Sequence, residues 1–481
     1  MKWFKRIQSA YSWKYPTTLV YMLQASEYTI RDYIEWLGRV DDFGHVMVRK
    51  KLVMTTKAKA LFVVTWLLIL LWLVAILYIA LGMPASASLL AVVALVILFP
   101  LVLPYALVVP LWLGQLLVQR PRERAALALA SATLAKHPGY KIAIAGSYGK
   151  TSMKHILETV LAQKLHTAGA PHSYNTPLGI AKFIGGLKGD EEVLVFELGE
   201  YYPGDIRSLS TFVQPDLGII TGVNEAHLSR FKTLDATAAG IFELADYKPS
   251  MAIYVNGESK LAYDYAQKHY KPTFYGHKGS HGWEITNAHS DIEGTHFVAS
   301  KAKRTVKART KLLGLHQVGP IAAAIAIAAE LGLSDKQIEQ GIAALEPFPH
   351  RMEIRTGSDN IPVIDDSYNG NPDGAKALIT FLAGLKEFRR FYITPGFVEM
   401  GTRSSVVHQE LGRELAAAKI EVVALIRNSV TNDVAVGLNS ADYAGRVLWF
   451  EDAESCFTGI HQYTKKGDIL AFQNDWPDNY A

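Results

Sequence analysis

Seven consecutive residues, Gly146-Ser147-Tyr148-Gly149-Lys150-Thr151-Ser152, follow directly on the apolar run Lys141-Ile142-Ala143-Ile144-Ala145. A buried strand that runs into a glycine loop and then a helix cradles phosphates. Backbone N–H groups approach the phosphate oxygens, and the helix adds its positive N-terminal end. In such a loop Lys150 supplies a point charge between the outer phosphates, and the Thr151 hydroxyl can ligate magnesium. Gly146, Ser147, Gly149, Lys150, Thr151 and Ser152 are therefore the candidate nucleotide-binding residues, with ATP and Mg2+ as the expected cofactors. The spacing, GxxGK[ST], is shorter than the usual GxxxxGK[ST].

Further along, Val193-Leu194-Val195-Phe196-Glu197 reads as a strand ending in a carboxylate. A carboxylate at the carboxyl end of a parallel strand faces the ligand crevice, where Glu197 can hold the magnesium that accompanies ATP. A second strand, Leu217 to Thr221, leads to Asn224-Glu225-Ala226-His227-Leu228. The His227 imidazole is a candidate metal ligand or phosphate contact, and a structural histidine is the plainer reading. Then come Gly314-Leu315-His316-Gln317, His350-Arg351, and Asp365-Asp366-Ser367-Tyr368-Asn369-Gly370-Asn371-Pro372. An arginine at a hinge can reach across and stabilise charge on a transferring phosphoryl group.

The elements that must carry these residues alternate. Apolar strand candidates recur at 141–145, 193–197, 217–221, 251–255, 362–365, 390–394, 421–426 and 467–472. Helical patterns lie between many of them, at 151–164, 235–247, 318–332, 335–345, 373–386 and 405–418. Such alternation predicts α/β domains with mostly parallel sheets covered by helices. Residues 272–312 are polar-alternating and predict a small antiparallel insertion. Gly332-Leu333-Ser334 and Pro347-Phe348-Pro349 are read as a hinge.

An uncharged stretch, Ala60 to Gly82, is long enough to cross a bilayer, which needs about 20 apolar residues. After a short break a second uncharged run covers Ala87 to Val118 and carries Pro100, Pro104 and Pro110. It predicts one span near 88–109 with an interfacial continuation. Basic residues flank the pair on both outer sides (Arg49, Lys50, Lys51, Lys57, Lys59; Arg120, Arg122, Arg124) and the connecting loop has none. The positive-inside rule then makes a multi-pass hairpin in the cytoplasmic membrane, with both ends and the catalytic domains in the cytoplasm. Residues 1–59 are expected to be a cytoplasmic segment that lies on the membrane surface or folds as a small cap. The net charge of +4 implies no nucleic-acid partner, and the single cysteine, Cys456, excludes an internal disulfide.

Taken in order, GSYGKTS, Asn175-Thr176-Pro177-Leu178-Gly179, Glu197-Leu198-Gly199 with Gly204-Asp205-Ile206, NEAHL, the hinge arginine, DDSYNGNP and Glu399-Met400-Gly401 resemble the Mur ligase family, and within it the D-alanyl-D-alanine-adding branch. The resemblance covers roughly 140–475. It implies a P-loop Mur-ligase central domain over 140–347 and a Rossmann-like C-terminal α/β domain over 348–481. Before them stand a membrane hairpin over 60–119, in place of the family's UDP-sugar domain, and a linker helix over 120–139. The implied reaction is ATP-driven amide formation through an acyl phosphate, joining the carboxylate of a cell-envelope precursor, soluble or lipid-linked, to an amine. By the same resemblance Lys150, Glu197, His227 and Arg351 are catalytic, and Thr151, Glu197 and His227 serve magnesium. Gln317, Arg351 and Asp366 contact the nucleotide, with Tyr368 and Asn371 near it.

The departures from the family pattern are specific. The position of the family's carbamylated lysine corresponds to Ile241, with Glu243 or Asp246 as partial substitutes. The substrate segment near the end reads Gln473-Asn474-Asp475-Trp476-Pro477-Asp478-Asn479-Tyr480. These losses leave two other readings: a nucleotide-binding membrane scaffold with a degenerate ligase site, and a polyglutamate-type amide ligase.

Overall fold

The computed structural model describes residues 2–46, 52–82, 84–171, 174–224, 231–368, 370–397 and 400–473. The chain divides into two compact units, 1–126 and 127–481.

In the first unit, short helices at Lys2–Ser9, Tyr15–Ala25 and Ile30–Arg39 precede two long apolar ones, Thr56–Gly82 and Ala85–Ala106. The short helices form a cap. Tyr15, Leu19, Leu23, Tyr33, Leu37 and Phe43 share one core with Ala58, Leu61, Leu103, Leu107 and Leu111 of the long helices. Beyond that core the hairpin turns its apolar side chains outward, Leu71 at 64% and Leu81 at 80% exposure among them. Both long helices have the length and composition to cross a membrane.

The prolines of the second long helix have partners in the cap. Pro100 and Pro104 lack the N–H groups that would bond the carbonyls of Val96 and Pro100. The Tyr11 hydroxyl donates to Val96 O, and the Tyr15 hydroxyl donates to Pro100 O at 2.9 Å. The Tyr33 hydroxyl donates to Pro104 O at 3.3 Å. After Ala106 the chain stays helical through Val108–Gly114, a wider turn at Gln115–Gln119, and Arg120–Lys136. Residues 107–136, expected to continue past one span, thus form one near-continuous helix.

In the second unit ten strands form one sheet among the described residues. They are β1 (Tyr140–Ala145), β2 (Thr167–Gly169), β3 (Val193–Glu197), β4 (Leu217–Ile220), β5 (Ala252–Asn256), β6 (Thr273–Gly276), β7 (Gly279–Ser280), β8 (Trp283–Asp291), β9 (Gly294–Lys301) and β10 (Arg304–Thr310). Their order is β10-β9-β8-β7-β6-β5-β4-β1-β3-β2. β1 to β6 pair in parallel, and β7 to β10 extend the edge antiparallel. The pattern Ile142-Ala143-Ile144-Ala145 shows why β1 is central. Ile142 and Ile144 face Met153, Ile156, Leu157 and Val160 of the next helix, while Ala143 and Ala145 face Phe196, Ile206 and Leu244 on the other side. A strand buried on both faces carries no polar alternation.

The second sheet comprises β11 (Glu353–Thr356), β12 (Pro362–Asp366), β13 (Arg389–Thr394), β14 (Val422–Ile426), β15 (Arg446–Phe450) and β16 (Asp468–Gln473), in the order β11-β12-β16-β13-β14-β15. Only β11 runs antiparallel to its neighbour among these pairings. The expected α/β architecture and the antiparallel insertion are both present.

One boundary needs correction. Gly332-Leu333-Ser334 joins the helices Val318–Glu330 and Asp335–Ala343 inside the first of these domains. Ile327, Leu333, Ile338 and Ile342 lie in one core, and Ser334 caps the second helix in a reciprocal box with Gln337. Gly-Leu-Ser is a helix stop and start, so the passage to the second sheet is left to the Pro347-Phe348-Pro349 segment alone.

Candidate active site

The phosphate-type loop sits at the carboxyl end of β1. Gly146 has φ +145° and Gly149 has φ +76°, conformations that L side chains rarely adopt. A Cβ on Gly146 would collide with Thr221 Oγ1. That hydroxyl supports the loop from β4's end by donating to Ala145 O at 3.3 Å and to Tyr148 O. The helix Lys150–Leu161 then begins at Gly149 with no side-chain cap, as an anion site requires. Ser147 is held on the far side, its N–H donating to Gly222 O at 2.9 Å and its Oγ accepting from Asn224 N–H at 3.3 Å.

Two ion pairs lie side by side next to the loop. Lys150 Nζ is 2.9 and 2.8 Å from the two carboxylate oxygens of Glu200, and it also donates to Gly146 O. One turn further on, Lys154 Nζ is 2.9 Å from Glu197 Oε1, while Glu197 Oε2 accepts from the Thr151 hydroxyl at 3.1 Å. The Glu197 and Glu200 side chains are only 2% and 3% exposed. Thr151 and Glu197 therefore stand together as expected, and their hard oxygen donors fit the magnesium of a bound nucleotide. Sequence reasoning missed Glu200 and Lys154. For Lys154 alone there was a signal, its i, i+4 spacing from Lys150 on one helix face. Another turn along, burial pushes the Glu158 carboxyl up to about 7, opposed by Lys154 and assisted by Glu197.

Beside the loop opens a cleft of about 580 Å³. Tyr148, Gly149 and Ser152 line one end of it, and Asn256, Tyr275, His316 and Gln317 line its wall. Asp373, Lys376 and Phe381, from the helix Pro372–Gly384, close the other side. Gln317 Nε2 lies 3.0 Å from His316 Nε2. Asn256, at the end of β5, was not foreseen. Its amide donates to Thr221 O at 2.9 Å and its Oδ1 accepts from Glu258 N–H at 2.9 Å, tying the cleft wall to the loop's support. Asn224 Nδ2 donates to Asp373 Oδ2 at 2.8 Å, joining the two α/β domains across the cleft.

Arg351 lies under the hinge aromatics, its guanidinium carbon 5.4 Å from the Phe348 ring centre and 4.9 Å from that of Tyr368. Its Nε is buried with no hydrogen-bond partner among the described residues. Burial draws its pKa down, against the attraction of Tyr368, Glu197 and Asp366. Asp366 ends β12 and accepts from Met352 N–H at 3.1 Å. Burial pushes its carboxyl up to about 7, with Met352 N–H and Arg351 opposing and Asp365 assisting. Asn371 caps the helix Pro372–Gly384 by accepting from Gly374 N–H at 3.0 Å. Neither Asn371 nor Tyr368 is among the described residues that line the cleft.

His227 lies outside the described residues, as do Glu225, Ala226, Leu228, Asn369, Glu399 and 474–481. Gln473 is buried, its Oε1 accepting from the Thr394 hydroxyl at 3.0 Å. Ile241 is fully buried in the core with Ala238, Phe242 and Leu244. Its two suggested substitutes are engaged elsewhere: Glu243 accepts from Arg207 N–H at 3.0 Å, and Asp246 from the Tyr270 hydroxyl at 2.7 Å.

Comparison with known proteins agrees with this geometry. The Mur ligase middle domain model matches residues 144–328, and the Mur ligase, glutamate ligase domain model matches 350–473. The UDP-N-acetylmuramoyl-tripeptide–D-alanyl-D-alanine ligase of Bacillus subtilis is 24% identical over 335 residues, 69% of this chain and 72% of its own. The Escherichia coli ligase of the same name is 26% identical over 356 residues, 68% of this chain and 77% of its own. Among solved structures, MurF ligase from Thermotoga maritima in complex with ADP aligns with TM-score 0.64 at 23% identity, covering 73% of this chain and 80% of that one. MurF from Acinetobacter baumannii aligns with TM-score 0.65 at 22% identity, covering 73% and 77%. With both domain models matched, over 144–328 and 350–473, the chain belongs to the Mur ligase family of ATP- and magnesium-dependent, amide-forming ligases.

Proposed function

We propose that this chain is a membrane-anchored ligase of peptidoglycan-type precursor synthesis, similar in chemistry to the D-alanyl-D-alanine-adding enzymes it resembles. One observation carries the reading: Thr151 and Glu197 are hydrogen-bonded at the carboxyl end of one sheet beside Lys150, and Asp373 of the second domain bonds Asn224, which in turn bonds Ser147 of the loop. The cleft holds the nucleotide, with Gln317 and Asn256 toward the base. Lys150 and the N-terminus of its helix take the outer phosphates. A bound magnesium ion supplies charge neutralisation, and Thr151, Glu197 and His227 are the residues that would hold it. Arg351, half-buried with its Nε short of an acceptor, is proposed to meet negative charge that develops near the loop.

In the proposed reaction a substrate carboxylate oxygen attacks the γ-phosphorus. The new O–P bond forms as the bond to ADP breaks. The amine nitrogen of the second substrate then attacks the acyl carbon, an amide forms, phosphate departs, and the ammonium proton is lost to solvent. The two long apolar helices anchor the chain, with the basic flanks on the cytoplasmic side, and the precursor is proposed to be lipid-linked.

The test incubates detergent-purified full chain with ATP, Mg2+, an amine such as D-alanyl-D-alanine, and one precursor in UDP-linked and lipid-linked forms. A product mass equal to the sum less water is expected, faster with the lipid form. Carboxylate-¹⁸O substrate should deliver label to the released phosphate. Unlabelled phosphate, or AMP as product, would refute the acyl phosphate. Nucleotide binding with no product from any precursor would favour the scaffold reading, for which the buried Ile241 is the supporting observation.

A further inference from the structure

The two lysine–glutamate pairs beside the phosphate loop are matched in charge and unequal in task. Lys154 and Glu197 face each other at 2.9 Å, and Lys154 also donates to Ala170 O, away from the loop. That pair can persist whatever occupies the cleft. Lys150 belongs to the loop itself, and both of its observed acceptors, Glu200 and Gly146 O, are ones a nucleotide phosphate would replace. When Lys150 turns to a phosphate, Glu200 loses its counter-ion at 3% exposure, next to a polyanion. A buried carboxylate left alone in that position is costly. One positive charge cannot neutralise both a phosphate and a carboxylate, whereas a divalent cation between them adds the missing charge.

We propose that Glu200 exchanges Lys150 for a divalent cation when the nucleotide binds, so that nucleotide affinity depends on magnesium through this residue. The inference rests on reading the cleft as the nucleotide site. It adds Glu200 to Thr151, Glu197 and His227 as a residue acting on the ion, and it gives the 2.8 Å pair with Lys150 a role in the nucleotide-free chain. Without metal, Glu200 competes with phosphate for Lys150. With metal, the competition is relieved.

The test is equilibrium binding of ATP and of ADP to the full chain in detergent, by calorimetry, in EDTA and in excess Mg2+. Wild type is expected to gain at least tenfold in ATP affinity on adding Mg2+. Glu200→Gln should bind metal-free ATP more tightly than wild type and keep less than threefold of the gain. Glu200→Asp, which retains the charge, should restore most of it. An equal magnesium gain in wild type and Glu200→Gln overturns the proposal while leaving the nucleotide site standing. No binding by wild type under either condition overturns both. Thermal unfolding confirms that each variant is folded, and if Glu200→Gln is not, Glu200→Ser takes its place: a magnesium gain below threefold supports the role of Glu200, and a gain equal to that of wild type overturns it.

Discussion

Lys150 holds both carboxylate oxygens of Glu200, at 2.9 and 2.8 Å, with the two side chains 13% and 3% exposed. A lysine that serves chemistry is therefore also a structural counter-ion. Lys150→Ala is expected to lower ATP turnover at least about 10³-fold, the scale on which a charge is lost from a phosphoryl-transfer site. It also strands Glu200, at a stability cost of roughly 3–5 kcal/mol. Adding Glu200→Gln should recover the melting temperature and leave turnover dead. Turnover and Tm rising together in the double variant would mean that Lys150 acts only through the fold.

Gln317 lines the cleft beside Tyr148 and Gly149, its amide within 3.0 Å of His316 Nε2. An amide on a base edge contributes binding that is the same in ground and transition states. Gln317→Ala should raise KM for ATP about tenfold, the equivalent of one hydrogen bond, with kcat nearly unchanged. A fall in kcat at constant KM would take Gln317 off the nucleotide and assign it to domain closure.

Where a strand and its candidate site residue are contiguous, the strand reads correctly. β1 runs into the glycine loop, β3 ends in Glu197, and β12 ends in Asp366, so pattern and site reinforce each other. β2 and β15 escaped notice for physical reasons. Thr167–Gly169 is three residues long and only half-buried, and Arg446–Phe450 is an edge strand with a single fully buried position. Gly332-Leu333-Ser334 misled because a left-handed glycine (φ +81°) and a serine cap punctuate helices within a domain as readily as between domains. Glu200 was illegible because its partner is 50 residues away, and only the sheet brings strand 3's end beside the helix after strand 1.

Asp366 gives a pH dependence whose sign is fixed. Its carboxyl rises from the ordinary 3.8 to about 7 on folding, chiefly through burial, with Arg351 and Met352 N–H opposing and Asp365 assisting. Between pH 4 and 7 the folded chain keeps a proton that the unfolded chain has lost. Stability contributed by this group is therefore complete below about pH 4 and declines as pH rises to 7, by up to about 4 kcal/mol. Asp366→Asn mimics the protonated acid and should remove that decline. Thermal unfolding of both chains at pH 5, 6, 7 and 8 provides the comparison, and Glu158, which titrates in the same range, cancels in the difference. A Tm difference that stays constant across these pH values would mean Asp366 is ionised in the folded chain.

The cap helices and the proline-bearing helix make a separable prediction. Pro104 has no N–H to give Pro100 O, and the Tyr15 hydroxyl supplies the missing donor at 2.9 Å in a fully buried setting. Tyr15→Phe leaves that carbonyl without a partner and should cost about 1–3 kcal/mol, the penalty of a buried acceptor left unmade. Pro104→Ala returns a backbone donor to the same carbonyl. In that background Tyr15→Phe should cost little, giving a coupling of about 1 kcal/mol or more between residues 89 positions apart. Unfolding of the full chain in detergent, with hydrogen exchange of the segment 96–107, measures both terms. Additive effects of the two substitutions would show that Tyr15 stabilises the cap through its ring alone, packed edge-on against Phe43 at 4.8 Å.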